Sequence, residues 1–148
     1  MKKNKYLKID KTYLNKKVVN KEYFKKIINY LNKYKNNVSL IDVGCASGDF
    51  LNLLSKKKNF YLTGIDFSKA SIEIAKKRVT SAKFKVQDLN KKLKLNEKYN
   101  ICTCLGTLSI FDNSFKIINK LINIVKKNGE LIFFDLMNEN DVNVLIRY

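Results

Sequence analysis

Glycine and aspartate residues gather in a short segment after an apolar run, and their spacing suggests a site for a nucleoside-type ligand. Residues 40–43 are apolar apart from Asp42, and Gly44 and Gly48 follow before a helical pattern begins at Asp49. Glycines at the end of a strand let the backbone approach a ligand that faces the N-terminus of the following helix. The segment therefore predicts a strand, a nucleoside-binding loop and a helix.

Two further carboxylates end the next two apolar runs. Asp66 follows the glycines by about 20 residues, the spacing at which a carboxylate accepts hydrogen bonds from both hydroxyls of a ribose. Asp88 ends the third run, where it could meet the edge of a base. Because ligands of open α/β sheets bind at the carboxyl ends of the strands, we expect both acids and the glycine loop on one rim.

Strand and helix patterns alternate along the chain, which predicts a doubly wound α/β fold with parallel strands and right-handed crossovers. The predicted strands are Val38–Val43, Phe60–Asp66, Lys83–Val86, Tyr99–Leu105 and residues 130–136. The first predicted helix runs from Lys21 to Asn36, and the second covers residues 49–55. The third has Ser68 as its N-cap, and the fourth covers residues 115–125 with Lys126, Lys127 and Gly129 as its C-terminal signal.

The spacing within the glycine loop separates two classes of cofactor. The dinucleotide fingerprint G-x-G-x-x-G would require glycine at position 49, where this chain has Asp49. A carboxylate at Asp42 would repel a pyrophosphate, but it could hold the ammonium group of an amino-acid moiety. The loop therefore favours a cofactor that carries an amino acid over a dinucleotide.

The segment from Asp42 to Gly48 resembles the D/E-x-G-x-G-x-G motif of class I S-adenosylmethionine-dependent methyltransferases. Residues 86–89 are similar to the adenine motif of that family, residues 100–108 to its fourth strand and the loop that follows, and residues 125–131 to its turn into strand five. The resemblance implies a Rossmann-like, mostly parallel sheet in the order 3-2-1-4-5, with S-adenosylmethionine as the cofactor.

The same resemblance implies roles for individual residues. Asp66 resembles the acid that binds the ribose, and Phe67 the apolar residue beside the adenine. Asp88 and the amide of Leu89 resemble the pair that reads the base. The full implied cofactor-binding set is Asp42, Gly44, Cys45, Ala46, Gly48, Asp66, Phe67, Asp88, Leu89 and Leu105. The catalytic residues stay unassigned, and no metal is expected.

Three positions depart from the pattern of the family. Ala46 replaces the middle glycine, Asn100 stands where an aspartate is usual, and Asn128 stands where proline is common. The small side chain of Ala46 should be tolerated, although it should tighten the loop. We expect none of the three departures to abolish cofactor binding.

The two ends of the chain carry further expectations. Residues 1–20 are predicted to form a basic N-terminal arm or lid, and residues 21–148 the cofactor-binding domain. The sheet of the family has seven strands, the last two in a hairpin, whereas only residues 137–148 follow the predicted fifth strand. We therefore expect a domain truncated after strand five, with one short helix at residues 141–148.

Length and charge bound the possible partners. A chain of 148 residues predicts a single domain. The net charge of +17 comes from 30 basic and 13 acidic residues, and such a surface could recruit RNA. Arg78 and Arg147 are the only arginines, however, and proteins that read nucleic acids favour arginine for bidentate contacts. The charge alone is therefore weak support for a nucleic-acid partner.

The cysteines and the apolar runs indicate a cytoplasmic protein. Cys45, Cys102 and Cys104 lie within or beside predicted strands, and without any histidine they do not suggest a zinc site. We expect them to be reduced thiols. No apolar run approaches the ~20 residues that a membrane span needs, and no signal-peptide core follows the N-terminus.

The resemblance implies in-line attack of a substrate nucleophile on an activated methyl group, for which a dedicated base is optional. Candidate bases are Ser109, Asp112, Tyr6 and Tyr13, although a turn or helix cap would also explain Ser109 and Asp112. The chain lacks proline and so lacks the proline-containing motifs of base methyltransferases. We favour a small-molecule acceptor, with an RNA methyltransferase or a non-catalytic cofactor-binding fragment as alternatives.

Overall fold

The computed structural model describes residues 21–135. The predictions for the N-terminal arm, including Tyr6 and Tyr13, and for a helix at residues 141–148 lie outside the described residues. Within residues 21–135, no helix is long and apolar enough to cross a membrane.

Five strands form one sheet in which all neighbouring pairs are parallel. The strands are β1 (Val38–Val43), β2 (Phe60–Asp66), β3 (Lys83–Val86), β4 (Tyr99–Leu105) and β5 (Val125–Phe134). Their order is β3-β2-β1-β4-β5, as predicted. The strand order reverses between β1 and β4, and in open α/β sheets ligands bind at the carboxyl ends of the strands at such a point.

Within residues 21–135 there are four helices and one turn of 3-10 helix, of which the first helix precedes β1 and the others connect strands. They are α1 (Glu22–Leu31), α2 (Asp49–Leu54), α3 (Lys69–Arg78), the 3-10 helix (Leu108–Ile110) and α4 (Ser114–Asn123). The predicted N-cap of α3 is confirmed, since Ser68 Oγ accepts a hydrogen bond from the Ser71 amide at 3.2 Å. The cap satisfies one of the free amides of the first turn and fixes the point at which the chain leaves β2.

Side chains that alternate along each strand build one core on each face of the sheet. On the first face, Leu40 and Leu62 pack with residues of α1, α2 and α3, among them Leu31 and Leu51. On the second face, Ile41 and Val43 pack with residues of α4. The sheet is therefore covered on both sides, as the continuous apolar strands predict.

The prediction for the start of β5 is wrong. Residues 126–129 read as the end of a helix, yet α4 ends at Asn123 and β5 begins at Val125, which pairs with Tyr99. The register then shifts before Glu130 pairs with Ile101, and Asn128 has a φ of +62°. An irregularity in the register thus accommodates the Lys-rich segment, because β5 advances five residues where β4 advances two between these pairs.

The first helix also ends earlier than predicted. α1 stops at Leu31 instead of continuing to Asn36. The side-chain amide of Asn59 donates a hydrogen bond to the Tyr34 carbonyl, and the Asn59 carbonyl accepts one from the Val38 amide at 3.1 Å. The loop before β2 therefore holds residues 34–38 in the path that leads into β1.

Candidate cofactor-binding site

The loop between β1 and α2 has an unusual backbone in which every second residue is left-handed. The φ angles of Gly44, Ala46 and Gly48 are +75°, +45° and +80°. Left-handed backbone is easy for glycine but strained for alanine, by about 1–2 kcal/mol. Ala46, the position that departs from the motif, therefore adopts a conformation that suits the glycine it replaces.

The start of this loop lies across the end of β2 and against the loop after β4. The amides of Gly44 and Cys45 both donate to the Ile65 carbonyl, at 2.8 and 3.1 Å. A Cβ atom at Gly44 would lie 2.2 Å from Thr107 Oγ1, which is closer than atoms can approach. Because Gly44 has no side chain, the end of β1 can pack against both the end of β2 and the loop after β4.

Asp66 ties the loop to the start of α3. Its Oδ2 accepts a hydrogen bond from the Ala46 amide at 2.9 Å, and its Oδ1 accepts one from the Ser68 amide at 2.9 Å. The carboxylate is buried beside the strained residue of the loop. The structure thus brings two predicted site residues together, while the role of Asp66 toward a ribose stays a prediction.

Asp42 is a buried carboxylate with little compensation. It is 3% exposed, and among residues 21–135 its carboxylate accepts one hydrogen bond, from Thr103 Oγ1 at 2.7 Å. Burial raises the pKa of Asp42 to about 7, the Thr103 hydrogen bond opposes this shift, and the negative charge of Asp66 adds to it. A carboxylate in this position would gain from a positively charged ligand.

Sequence reasoning missed Thr103, although a signal was available. In the sheet, Thr103 of β4 lies beside Asp42 of β1. Neighbouring positions on parallel strands place their side chains on the same face. A predicted register between the two strands would have identified the partner.

Asp88 and Leu89 form the turn after β3. Oδ1 of Asp88 accepts hydrogen bonds from the backbone and side-chain nitrogens of Asn90, at 2.9 and 3.1 Å. Leu89 is buried in the second core, and its carbonyl accepts a hydrogen bond from Lys120 Nζ at 2.7 Å. Lys120 was not predicted, and it fixes this turn to α4.

The remaining predicted site residues differ in what they can offer a ligand. Phe67 is 45% exposed directly after Asp66, so its ring is accessible at the rim. Leu105 is half-buried at the end of β4. The Cys45 thiol is buried in the first core, where a Cβ at Gly64 would lie 2.9 Å from its sulfur. Burial also raises the pKa of the Cys45 thiol, so Cys45 can offer a ligand its backbone only.

The loop after β4 is held by a residue that follows β5. Oδ2 of Asp135 accepts hydrogen bonds from the amides of Leu108 and Ser109, at 2.5 and 3.1 Å. Asn113, rather than Ser109 or Asp112, caps α4 by accepting from the Lys116 amide at 2.9 Å. Ser109 lies within the 3-10 helix and Asp112 in the bend that precedes α4, so both occupy turns, and a role for either as a base stays a prediction.

A parallel sheet of this order, with a glycine loop after its first strand and acids after the next two, defines a Rossmann-like nucleoside-binding domain. A family model described as a methyltransferase domain matches residues 34–145. The chain belongs to this methyltransferase family.

Individual relatives agree with this assignment. The malonyl-[acyl-carrier protein] O-methyltransferase of Priestia megaterium is 30% identical over 128 residues, which cover 83% of this chain and 46% of that protein. The ubiquinone biosynthesis O-methyltransferase of Coxiella burnetii is 28% identical over 105 residues, 68% of this chain and 44% of that protein. The chain therefore spans less than half the length of these curated relatives.

A solved structure shares the fold. The plantazolicin methyltransferase BpumL, crystallised with a pentazolic desmethylPZN analog and SAH, superposes with a TM-score of 0.69 and 23% identity. The superposition covers 90% of this chain and 54% of the BpumL chain. The described sheet and helices thus correspond to the fold of a methyltransferase.

Proposed function

We propose that the chain forms the cofactor-binding part of an S-adenosylmethionine-dependent methyltransferase that acts on a small-molecule acceptor. The observation that carries the proposal is the buried Asp42 carboxylate, which lies at the base of a left-handed glycine loop and, among residues 21–135, accepts one hydrogen bond, from Thr103. Such a carboxylate favours a ligand with both a nucleoside and a cationic amino-acid part.

The residues present fit this cofactor. Gly44 and Gly48 give the loop its left-handed backbone at the end of β1, and Asp42 supplies a buried negative charge for an ammonium group. Asp66 would bind the ribose, and the exposed ring of Phe67 would lie against the adenine. Oδ2 of Asp88 makes no hydrogen bond within residues 21–135, so it can accept one from a base.

For methyl transfer, the main task of the protein is to position the cofactor and the acceptor. S-adenosylmethionine supplies a methyl group that its sulfonium already activates. The loop and the three carboxylates would therefore bind and orient the cofactor. The acceptor would approach from the carboxyl ends of β1 and β4, next to Leu105 and the 3-10 helix.

The acceptor class, the domain limits and the compartment are parts of the same proposal. The curated relatives are named for malonyl-[acyl-carrier protein] and for ubiquinone biosynthesis, and neither name refers to a nucleic acid. We assign residues 1–20 as an arm or lid and residues 21–148 as the domain. Three buried cysteines without a disulfide support a reducing, cytoplasmic location.

Calorimetry with S-adenosylhomocysteine tests the proposal. We expect binding to the wild-type protein, and an affinity at least about tenfold lower in Asp66→Ala, because charged hydrogen bonds to the ribose are lost. Asp66→Asn should fall between the two, since it keeps an acceptor. Glu73→Ala is the matched control, because it also removes one carboxylate but from the exposed face of α3, where Glu73 pairs with Lys76.

Two outcomes would count against this assignment. Unchanged affinity in Asp66→Ala would contradict the ribose role of Asp66. Binding of NADH without binding of S-adenosylhomocysteine would contradict the proposal as a whole.

A further inference from the structure

Arg78, the last residue of α3, contacts the loop between β1 and α2. Its Nη1 donates to the Ser47 carbonyl at 3.1 Å and lies 3.2 Å from Ser47 Oγ. The same nitrogen forms an ion pair with the Asp49 carboxylate at the start of α2. One guanidinium thus bridges the loop and the helix that follows it.

Together with Asp66, this contact holds the loop at consecutive residues. The Ala46 amide donates a hydrogen bond to Asp66 Oδ2 at 2.9 Å, and the carbonyl of the following residue, Ser47, accepts one from Arg78. Ala46 itself has a φ of +45°. A strained residue persists only where its surroundings fix it, and here the fixing groups come from β2 and α3.

We propose that Arg78 is a positioning residue for the cofactor: it holds the Ser47 carbonyl so that the loop keeps its binding conformation before the ligand arrives. The inference rests on the proposed function of the loop. A loop that is already ordered loses less conformational entropy when the ligand binds. The hydrogen bond from Arg78 therefore contributes to affinity although Arg78 does not contact the ligand.

Two other interpretations of Arg78 are separable from this one. A cation in the last turn of a helix interacts favourably with the helix dipole, and Lys76 and Lys77 occupy the same turn of α3. Lys77 is exposed, so Lys77→Ala removes the same charge from the same helix end without touching the loop. Arg78→Lys keeps the charge but loses the planar guanidinium that reaches Ser47 and Asp49 together.

The experiment combines hydrogen exchange of the unliganded protein with calorimetry of S-adenosylhomocysteine. In Arg78→Ala we expect faster exchange of the Ala46 and Gly48 amides and an affinity about tenfold lower than wild type. Arg78→Lys should recover only part of both effects, and Lys77→Ala should change the affinity less than about twofold.

The outcomes separate this inference from the proposed function. Exchange at Ala46 and Gly48 that is unchanged in Arg78→Ala overturns the inference, and so does an affinity equal to that of Lys77→Ala. If the wild-type protein fails to bind S-adenosylhomocysteine, the proposed function fails, while loop exchange in the unliganded variants still decides whether Arg78 holds the loop.

Discussion

Replacing Gly44 with alanine is expected to lower the free energy of unfolding by about 3 kcal/mol. The new Cβ would lie 2.2 Å from Thr107 Oγ1 and 2.8 Å from Thr107 Cγ2, on a backbone with a φ of +75°. Thr107 is buried, and three of its side-chain atoms lie within 3.0 Å of the new Cβ. Urea denaturation measures the loss.

Gly106→Ala separates the steric clash with Thr107 from the backbone strain of a left-handed alanine. Gly106 has almost the same φ, +73°, but a Cβ there would meet nothing closer than the Tyr23 hydroxyl at 3.9 Å. Gly106→Ala should therefore cost only the backbone strain, about 1–2 kcal/mol. The double variant Gly44→Ala/Thr107→Ala should recover part of the stability lost by Gly44→Ala alone. Equal losses at Gly44 and Gly106 would contradict the role given to Thr107.

Replacing Asp42 with asparagine is expected to remove a pH dependence of stability. The pKa of Asp42 is raised by burial from 3.8 to about 7 in the folded protein. Between these pH values the folded state binds more protons than the unfolded state, so the wild-type free energy of unfolding falls as pH rises from about 4 to about 7. A shift of this size corresponds to a loss on the order of 4 kcal/mol above pH 7.

The difference between wild type and Asp42→Asn isolates this effect. The two proteins should be similarly stable near pH 4, and the variant should be more stable at pH 8, since the neutral amide still accepts the Thr103 hydrogen bond. The chain has no histidine, so between about pH 5.5 and 7 few side chains other than Asp42 titrate, and the slope is compared there. Thr103→Ser, which keeps the hydroxyl, should retain the wild-type slope, and a slope that persists in Asp42→Asn would rule out Asp42 as its source.

The affinity for the cofactor should rise with pH, whereas the free energy of unfolding falls. A cationic amino-acid group favours ionised Asp42, so the affinity of the wild-type protein for S-adenosylhomocysteine should rise between pH 6 and pH 8. Calorimetry at both pH values should show this rise in wild type and not in Asp42→Asn. An equal rise in the variant would mean that another group binds the ammonium.

The four strands that build the site were predictable because their signals are local. β1, β2 and β4 are mainly apolar runs and β3 alternates lysine with apolar residues. Each strand has an acid or a glycine at its end or within two residues after it, and the bounds of all four match the prediction. β5 was misplaced at its start because Lys126 and Gly129 are local helix-end signals, whereas pairing with β4 is not encoded nearby. Local patterns therefore predict an element well only where tertiary contacts agree with them.

The residues of the site likewise divide into those that local sequence patterns predict and those that they do not. The loop glycines and Asp42, Asp66 and Asp88 could be predicted from spacing, since their place at strand ends follows from the fold. Thr107 and Arg78 could not, because each comes from another element and reaches the loop across at least 29 residues of sequence, the separation of Arg78 from Asp49. Thr103 could have been found only through the register of β4 with β1, which places it beside Asp42.

The three buried cysteines can report when the helices separate from the sheet. Thiol reagents attack the thiolate, and burial raises the pKa values of Cys45, Cys102 and Cys104 while also shielding them. Cys45 lies in the core beneath α1, α2 and α3, whereas Cys102 and Cys104 lie in the core beneath α4. The order in which the thiols are labelled therefore records which face of the sheet separates first from its helices, without any introduced probe.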